Sequence, residues 1–288
     1  MPDIAEQYRK LVADTFEDLL SKALTSEIPT ASEIERARQL VRKINSEKIF
    51  DQIAPDLTEY QRQQFLEGVD RIDKIIDHKP LTEILPDVPE ETIRNAGQPL
   101  NEHIKGLTDV VKKRIQRRLA TMHVGKTTYQ DAVSAMSEEM LVAKSRAKRI
   151  VRTEGKRLQN IGASQRISDV TQAVPDVPTF KVWKHSSGSS APSAKGDKAT
   201  KTRAGFTARA VRMKYEPREN HKAMHGVRVR PDEKFTLIGE DGVVYKVDHP
   251  HGEPLPAGEV VYCMCDVVVK IDRVALRARK FTQKKPTT

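Results

Sequence analysis

The sequence predicts an α+β protein, with a mostly helical N-terminal two-thirds followed by a small antiparallel-sheet α+β module. Three observations carry that expectation. Apolar residues recur at three- and four-residue spacing up to about residue 170, and after Pro175 the period changes to two. The composition, 31% charged against 38% hydrophobic and 5% aromatic, suits solvated helical modules better than a β-sandwich. At 288 residues the chain exceeds a comfortable single core, which favours more than one compact unit. No run approaches the roughly 20 apolar residues of a spanning helix, and residues 1–9 lack the basic and apolar stretches of a secretory signal. The expectation is a chain that stays soluble where it is made, with no membrane as a partner.

Residues 1–99 read as an acidic helical arm or bundle, with helices near 4–24, 31–53 and 57–78 set apart by Pro29, Pro55, Pro80, Pro86 and Pro89. Residues 100–172 form a basic helical region. There the spacing of Leu107, Val111, Ile115, Leu119 and Met122 predicts a helix over 107–124 with one apolar stripe, closed by Gly125. Thr127 or Thr128 is placed to cap a short helix over 129–140. A second long helix over 142–167 puts Ala147, Val151, Leu158 and Ile161 on one face, and Gly155 and Gly162 on one side, where they imply close approach of another helix.

Each apolar face carries one charge of opposite sign, Arg118 on the first helix and Glu154 on the second. An unpaired buried charge is costly, so the expectation is a desolvated ion pair of Glu154 with Arg118 or with another arginine such as Arg152.

Charge is distributed unevenly. Residues 1–100 hold 13 Lys/Arg against 20 Asp/Glu, whereas 101–288 hold 37 against 20. A basic half of this size points to nucleic acid or another polyanion, because neutralising phosphates releases counterions whatever the base sequence. The outward positions Lys112, Lys113, Arg117, Lys148, Arg149 and Lys156 are the DNA-contacting candidates.

Residues 173–275 form the small α+β module. A strand over 180–185 precedes a flexible loop over 186–205, rich in Ser, Ala, Lys, Thr and Gly, and strand character resumes at 209–214. Pro217 opens a short helix ended by Gly226. Segments 235–238 and 243–247 flank Gly239-Glu240-Asp241-Gly242 as a hairpin. A last strand over 260–271 turns Cys263 and Cys265 inward, and 276–288 is a basic tail.

Two cysteines this close cannot make a disulfide framework, so a reducing compartment is expected. Cys263 and Cys265, with His221 and either His249 or His251, supply the four nitrogen and sulfur ligands of a structural zinc; inert thiols beside incidental histidines are the alternative. His221 and His225 have the spacing of a zinc-protease helix, but Lys222 stands where the general-base Glu belongs. Residue types leave a metal-dependent nuclease as the least favoured function, behind a sequence-independent DNA-binding protein.

Three segments, in order, resemble the phage Mu F-like minor head proteins, also called phage head morphogenesis proteins. Ser145-Arg-Ala-Lys-Arg-Ile-Val-Arg-Thr-Glu154, continuing to Gln159-Asn160, is similar to that family's "rA..iaRTE…N" helix. Pro217-Arg-Glu-Asn-His-Lys-Ala-Met-His-Gly226, followed by Val229 and Phe235, resembles its "R..H..ldG..v..de.F" segment. Pro250-His-Gly-Glu-Pro with Ala257-Gly-Glu-Val-Val-Tyr-Cys-Met-Cys265 resembles its ending. Where some members carry Cys-x-x-Cys this chain has Arg218 and His221; His225 replaces an Asp, and Met264 an Arg. The resemblance implies a virion component near the portal of a tailed phage, in the host cytoplasm during assembly. It would assist head assembly and DNA packaging or ejection, without enzymatic turnover. The implied partners are the portal protein, capsid or scaffolding protein, and packaged double-stranded DNA, with the acidic first hundred residues as a docking arm.

Overall fold

The computed structural model describes residues 3–122, 128–185, 218–279 and 281. The expected Gly125 cap, the 186–205 loop, the 209–214 strand, Pro217 and most of the tail lie outside them. The architecture is α+β, helical first and sheet-bearing last, as the change of period predicts.

Helix α1 (Ile4–Ala23) starts at Asp3, whose carboxylate accepts from the backbone N–H of Ala5 and Glu6. It buries Tyr8, Val12, Phe16 and Leu20, a four-residue repeat on one face. Helix α2 (Ala31–Arg42) opens with a Thr30/Glu33 capping box. Helix α3 (Ser46–Ile76) runs straight through Pro55, where the sequence suggested a break. Pro55 faces solvent, so water can satisfy the carbonyl it frees, while Ile53 and Leu57 on the inner face hold the helix in place. A single turn, α4 (Lys79–Thr82), leads to α5 (Glu90–Ala120).

Helix α6 (Tyr129–Ala173) is one 45-residue helix, not the two expected. Its cap is the Thr128/Asp131 capping box. No proline interrupts it, and the inward positions Ala132, Met136, Met140, Ala143 and Ala147 continue across the expected gap to Leu158 and Ile167.

Helices α3 and α6 form the spine and make the most extensive helix pair. They cross closely at glycines. A Cβ on Gly68 would meet the Gln159 carbonyl oxygen at 2.0 Å, one on Gly162 the Phe65 carbonyl oxygen at 2.2 Å, and one on Gly155 the Tyr60 hydroxyl at 2.1 Å. The near ends of α3 and α6 share a core with α1, α2 and α5, built on Tyr8, Phe16, Leu57, Leu100, Ile104 and Ile115. The acidic first hundred residues are thus part of a bundle with the basic helices, and a boundary at 99/100 falls inside α5.

The far ends of the spine, Ile72 and Ile76 on α3 and Ala163, Ile167 and Val170 on α6, pack into the module core with Trp183, Phe235 and Val267. The module comprises β1 (Thr179–Lys184), α7 (Glu219–Ala223), β2 (Arg228–Val229), β3 (Phe235–Ile238), β4 (Val244–Val247), α8 (Ala257–Val260), β5 (Asp266–Ile271) and α9 (Arg273–Ala278). Strands β2-β1-β5 make one antiparallel sheet with Val182 opposite Val268, and β3–β4 are the expected hairpin with Gly242 at φ +77°. The expected strand over 260–271 is shorter. Its first half is the α8 turn followed by Tyr262 at φ +61°, a bend that turns Cys263 and Cys265 into the module without strand pairing. The start of the expected tail is also structural, since α9 buries Leu276 and Phe281 packs on His78, ring centroids 5.0 Å apart.

Candidate metal centre

Helix α7 and the turn after α8 bring His221, Cys263 and Cys265 together, all buried, with donor atoms within 4.8 Å of one another. His221 Nδ1 lies 3.3 Å from Cys263 Sγ and 3.6 Å from Cys265 Sγ. Its other ring nitrogen, Nε2, meets Glu259 Oε2 at 2.8 Å. That carboxylate is itself held by the Glu240 backbone N–H at 2.8 Å and by Asn220 Nδ2 at 3.2 Å. A carboxylate on one imidazole nitrogen keeps the proton there and presents the other nitrogen bare, the outer arrangement typical of metal-ligating histidines. The Nδ1 lone pair therefore points at the space between two sulfurs.

Without a metal, the local charges work against the bare nitrogen. Burial lowers the His221 pKa, but the hydrogen bonds and charges of Cys263 and Glu259 outweigh it and raise it overall. Cys263 and Cys265 behave as one buried pair that shares a proton. The Cys263 thiol is driven strongly down by its hydrogen bond with Cys265, despite burial, and Cys265 strongly up by the same bond and by burial. A thiolate beside an imidazole nitrogen is nevertheless a donor set that could hold a metal ion, which would displace the proton.

Two expected ligands stand elsewhere. His251, at φ +68°, is buried with Nε2 on the Cys263 carbonyl at 2.9 Å and Nδ1 on Asn160 Nδ2 at 3.1 Å, so both nitrogens are committed. His249 Nδ1 meets the Pro250 carbonyl at 2.9 Å, outside the cluster, and burial pushes its pKa down to about 4. His225 is exposed and accepts from the His185 backbone N–H at 3.1 Å.

Sequence reasoning passed over Glu259 and His185. Glu259 had no signal, because its partners come from α7 and the β3–β4 turn. His185 had one: it continues the Lys181, Trp183 alternation of β1, both of which face inward, and its Nδ1 lies 3.5 Å from Cys265 Sγ.

Below the cluster, Asn160 of α6 joins module to spine. Its Nδ2 donates to the Cys265 carbonyl at 3.0 Å, and its Oδ1 accepts from the Val267 N–H at 2.9 Å. Arg71 of α3 and Lys156 of α6 both reach Asp266, the lysine at 2.6 Å.

The expected ion pair is corrected. Glu154 is buried and paired with an arginine, but the partner is Arg157 on its own helix, Nε at 2.7 Å, with His103 Nδ1 at 3.7 Å across the interface. Helices α5 and α6 are antiparallel, which sets Arg118 opposite Glu139 at 3.3 Å, roughly 22 Å along α5 from His103 at 1.5 Å per residue. Arg152 is exposed.

The DNA-contacting candidates divide. Lys112 donates to the Ile44 carbonyl at 2.8 Å and Lys156 holds Asp266, so these two are engaged within the fold, while Arg149 is exposed with its guanidinium 5.8 Å from the centre of the Tyr262 ring. Lys113, Arg117 and Lys148 are exposed. No helix among the described residues is long and apolar enough to cross a membrane. Comparison with known proteins finds nothing: no family model, no curated protein and no solved structure matches this chain.

Proposed function

We propose that the chain is a minor head protein of a tailed bacteriophage, placed in the capsid near the portal, which assists head assembly and DNA packaging or ejection. In this reading His221, Cys263 and Cys265 hold a structural zinc, and the protein performs no catalysis. One observation carries it. The three segments that resemble the head morphogenesis family lie up to about 100 residues apart in sequence, yet their distinctive residues meet at one place. Asn160 of the first touches His251 and the Cys265 carbonyl of the third, and His221 of the second touches both cysteines of the third. A shared pattern that converges on a buried joint is what a scaffold requires, since the joint orients one binding body against another.

The helical body would meet the portal, capsid or scaffolding protein, and Lys113, Arg117 and Lys148 would face packaged double-stranded DNA. The metal-dependent nuclease loses ground, because a catalytic zinc needs an open coordination position reached by water and all three donor residues here are buried. The reading is tested by locating the chain in purified procapsids and by co-purification with a portal ring. Fixed low stoichiometry in the particle supports it; absence from both particle and portal overturns it.

A further inference from the structure

We infer that His185 is the fourth ligand of the metal centre, completing a two-histidine, two-cysteine site that ties together the chain on either side of residues 186–217; this rests on the zinc reading above.

The distances define a coordination shell. With zinc–sulfur bonds of about 2.3 Å and zinc–nitrogen bonds of about 2.0–2.1 Å, the nitrogen–sulfur edge of a tetrahedron is about 3.5 Å. Three of the four nitrogen–sulfur edges of such a shell match, 3.3 Å and 3.6 Å from His221 and 3.5 Å from His185 to Cys265. His185 lies outside the group whose donors are all within 4.8 Å of one another and must swing inward to close the fourth edge, to Cys263. His221 Nδ1 makes a good hydrogen bond to one sulfur and a poor one to both at once. A cation between the sulfurs satisfies it.

Chain geometry selects His185 for the remaining corner. It follows β1 directly, on the face that carries the buried Trp183, and its Nδ1 reaches Cys265 Sγ at 3.5 Å. Its Nε2 is shielded from solvent and has no hydrogen-bond partner among the described residues, so nothing holds the ring against a small inward swing. The competitors are occupied: His251 at both nitrogens, His225 by a backbone N–H, Glu259 by His221, Asn220 and a backbone N–H. Two thiolates and two neutral imidazoles around Zn²⁺ sum to zero charge, which a buried site tolerates best. Such a shell has no open position, so the metal is structural.

The test uses the full chain purified with zinc(II) bound. X-ray absorption at the zinc edge should fit two sulfurs and two imidazole nitrogens. His185→Ala should lose one imidazole and release zinc to a competing chelator with at least about 10-fold weaker affinity. His185→Cys should keep zinc with three sulfurs and one imidazole, and in the cobalt(II) form should strengthen the thiolate-to-metal absorption band. His225→Ala and His249→Ala should leave the shell unchanged. A wild-type shell of two sulfurs, one imidazole and an oxygen overturns the His185 assignment while leaving zinc in place, and that spectrum decides even if His185→Ala does not fold. A His185→Ala protein that keeps two imidazoles and full affinity overturns it as well. A wild-type chain that binds no zinc sinks both this assignment and the zinc reading, whereas the particle location tests the head-protein reading separately.

Discussion

The helical body packs five helices around one core with repeated apolar faces, Tyr8, Val12, Phe16 and Leu20 on α1 and Leu100, Ile104, Leu107 and Ile115 on α5, with many equivalent contacts and few polar ones inside. The module is built differently. Its strands are two to six residues long, it holds the His221–Cys263–Cys265 cluster inside itself, and besides the apolar ends of α3 and α6 it meets the spine at single polar points, Asn160 and Asp266. The difference teaches where each region is vulnerable. Losing one apolar contact leaves a repeated stripe largely intact, whereas losing one polar point exposes its buried partners to a desolvation cost no neighbour can offset. Trp183 is the chain's single tryptophan and lies in the module core, so its fluorescence reports the module while far-UV circular dichroism reports mainly the helices.

The sharpest break should come from Asn160→Ala. It strips hydrogen bonds from the Cys265 carbonyl, the Val267 N–H and His251 together, and should cost about 3–5 kcal/mol. The Trp183 transition in denaturant should move far more than the helical one; equal shifts would show that the two regions unfold as one.

Next comes the crossing of the spine. Gly68→Ala and Gly162→Ala each drive a methyl group into a backbone carbonyl and should cost about 1–3 kcal/mol or more in thermal unfolding. Gly106→Ala on α5 meets nothing within 4 Å and should instead stabilise by about 0.5–1 kcal/mol. If all three behave alike, close approach is not what those glycines provide.

A smaller effect, confined to the body, is expected at Glu33. Its two oxygens accept from the backbone and hydroxyls of Thr25, Ser26 and Thr30, and the bonds from Thr30 and then Thr25 hold its carboxyl well below the usual value of 4.5. A folded-state pKa below the unfolded one contributes stability that is complete above the unfolded value and fades as pH falls beneath it. Glu33→Gln should therefore lower stability at neutral pH and flatten its acid dependence below about pH 4.5, read from melts across a pH series. An unchanged acid limb would remove Glu33 from that role.

The same contrast sets what sequence could reveal. The helix near 4–24 and the cap at Thr128 are local, and periodicity and side-chain type suffice to find them. Pro55 misled, because a proline's effect depends on whether its freed carbonyl faces water, which only the packed helix decides. The gathering of His221 with the two cysteines followed from ligand chemistry. Which histidines stay out did not, since His251 is claimed by Asn160 across 91 residues of sequence. Arg118 is kept from Glu154 by the antiparallel offset of α5 against α6, which is tertiary information, whereas the i,i+3 spacing of Glu154 to Arg157 was local and was passed over.

The central claim is that a built metal centre, not apolar packing alone, holds together the module that sits on the helical spine. Equilibrium unfolding of the full chain, followed in parallel by Trp183 fluorescence and far-UV circular dichroism with zinc(II) and with a chelator, tests it directly. Zinc at 100 to 1,000 times its dissociation constant should stabilise the Trp183 transition by about 3–4 kcal/mol and leave the main helical transition in place. A Trp183 transition that is indifferent to zinc would contradict the account.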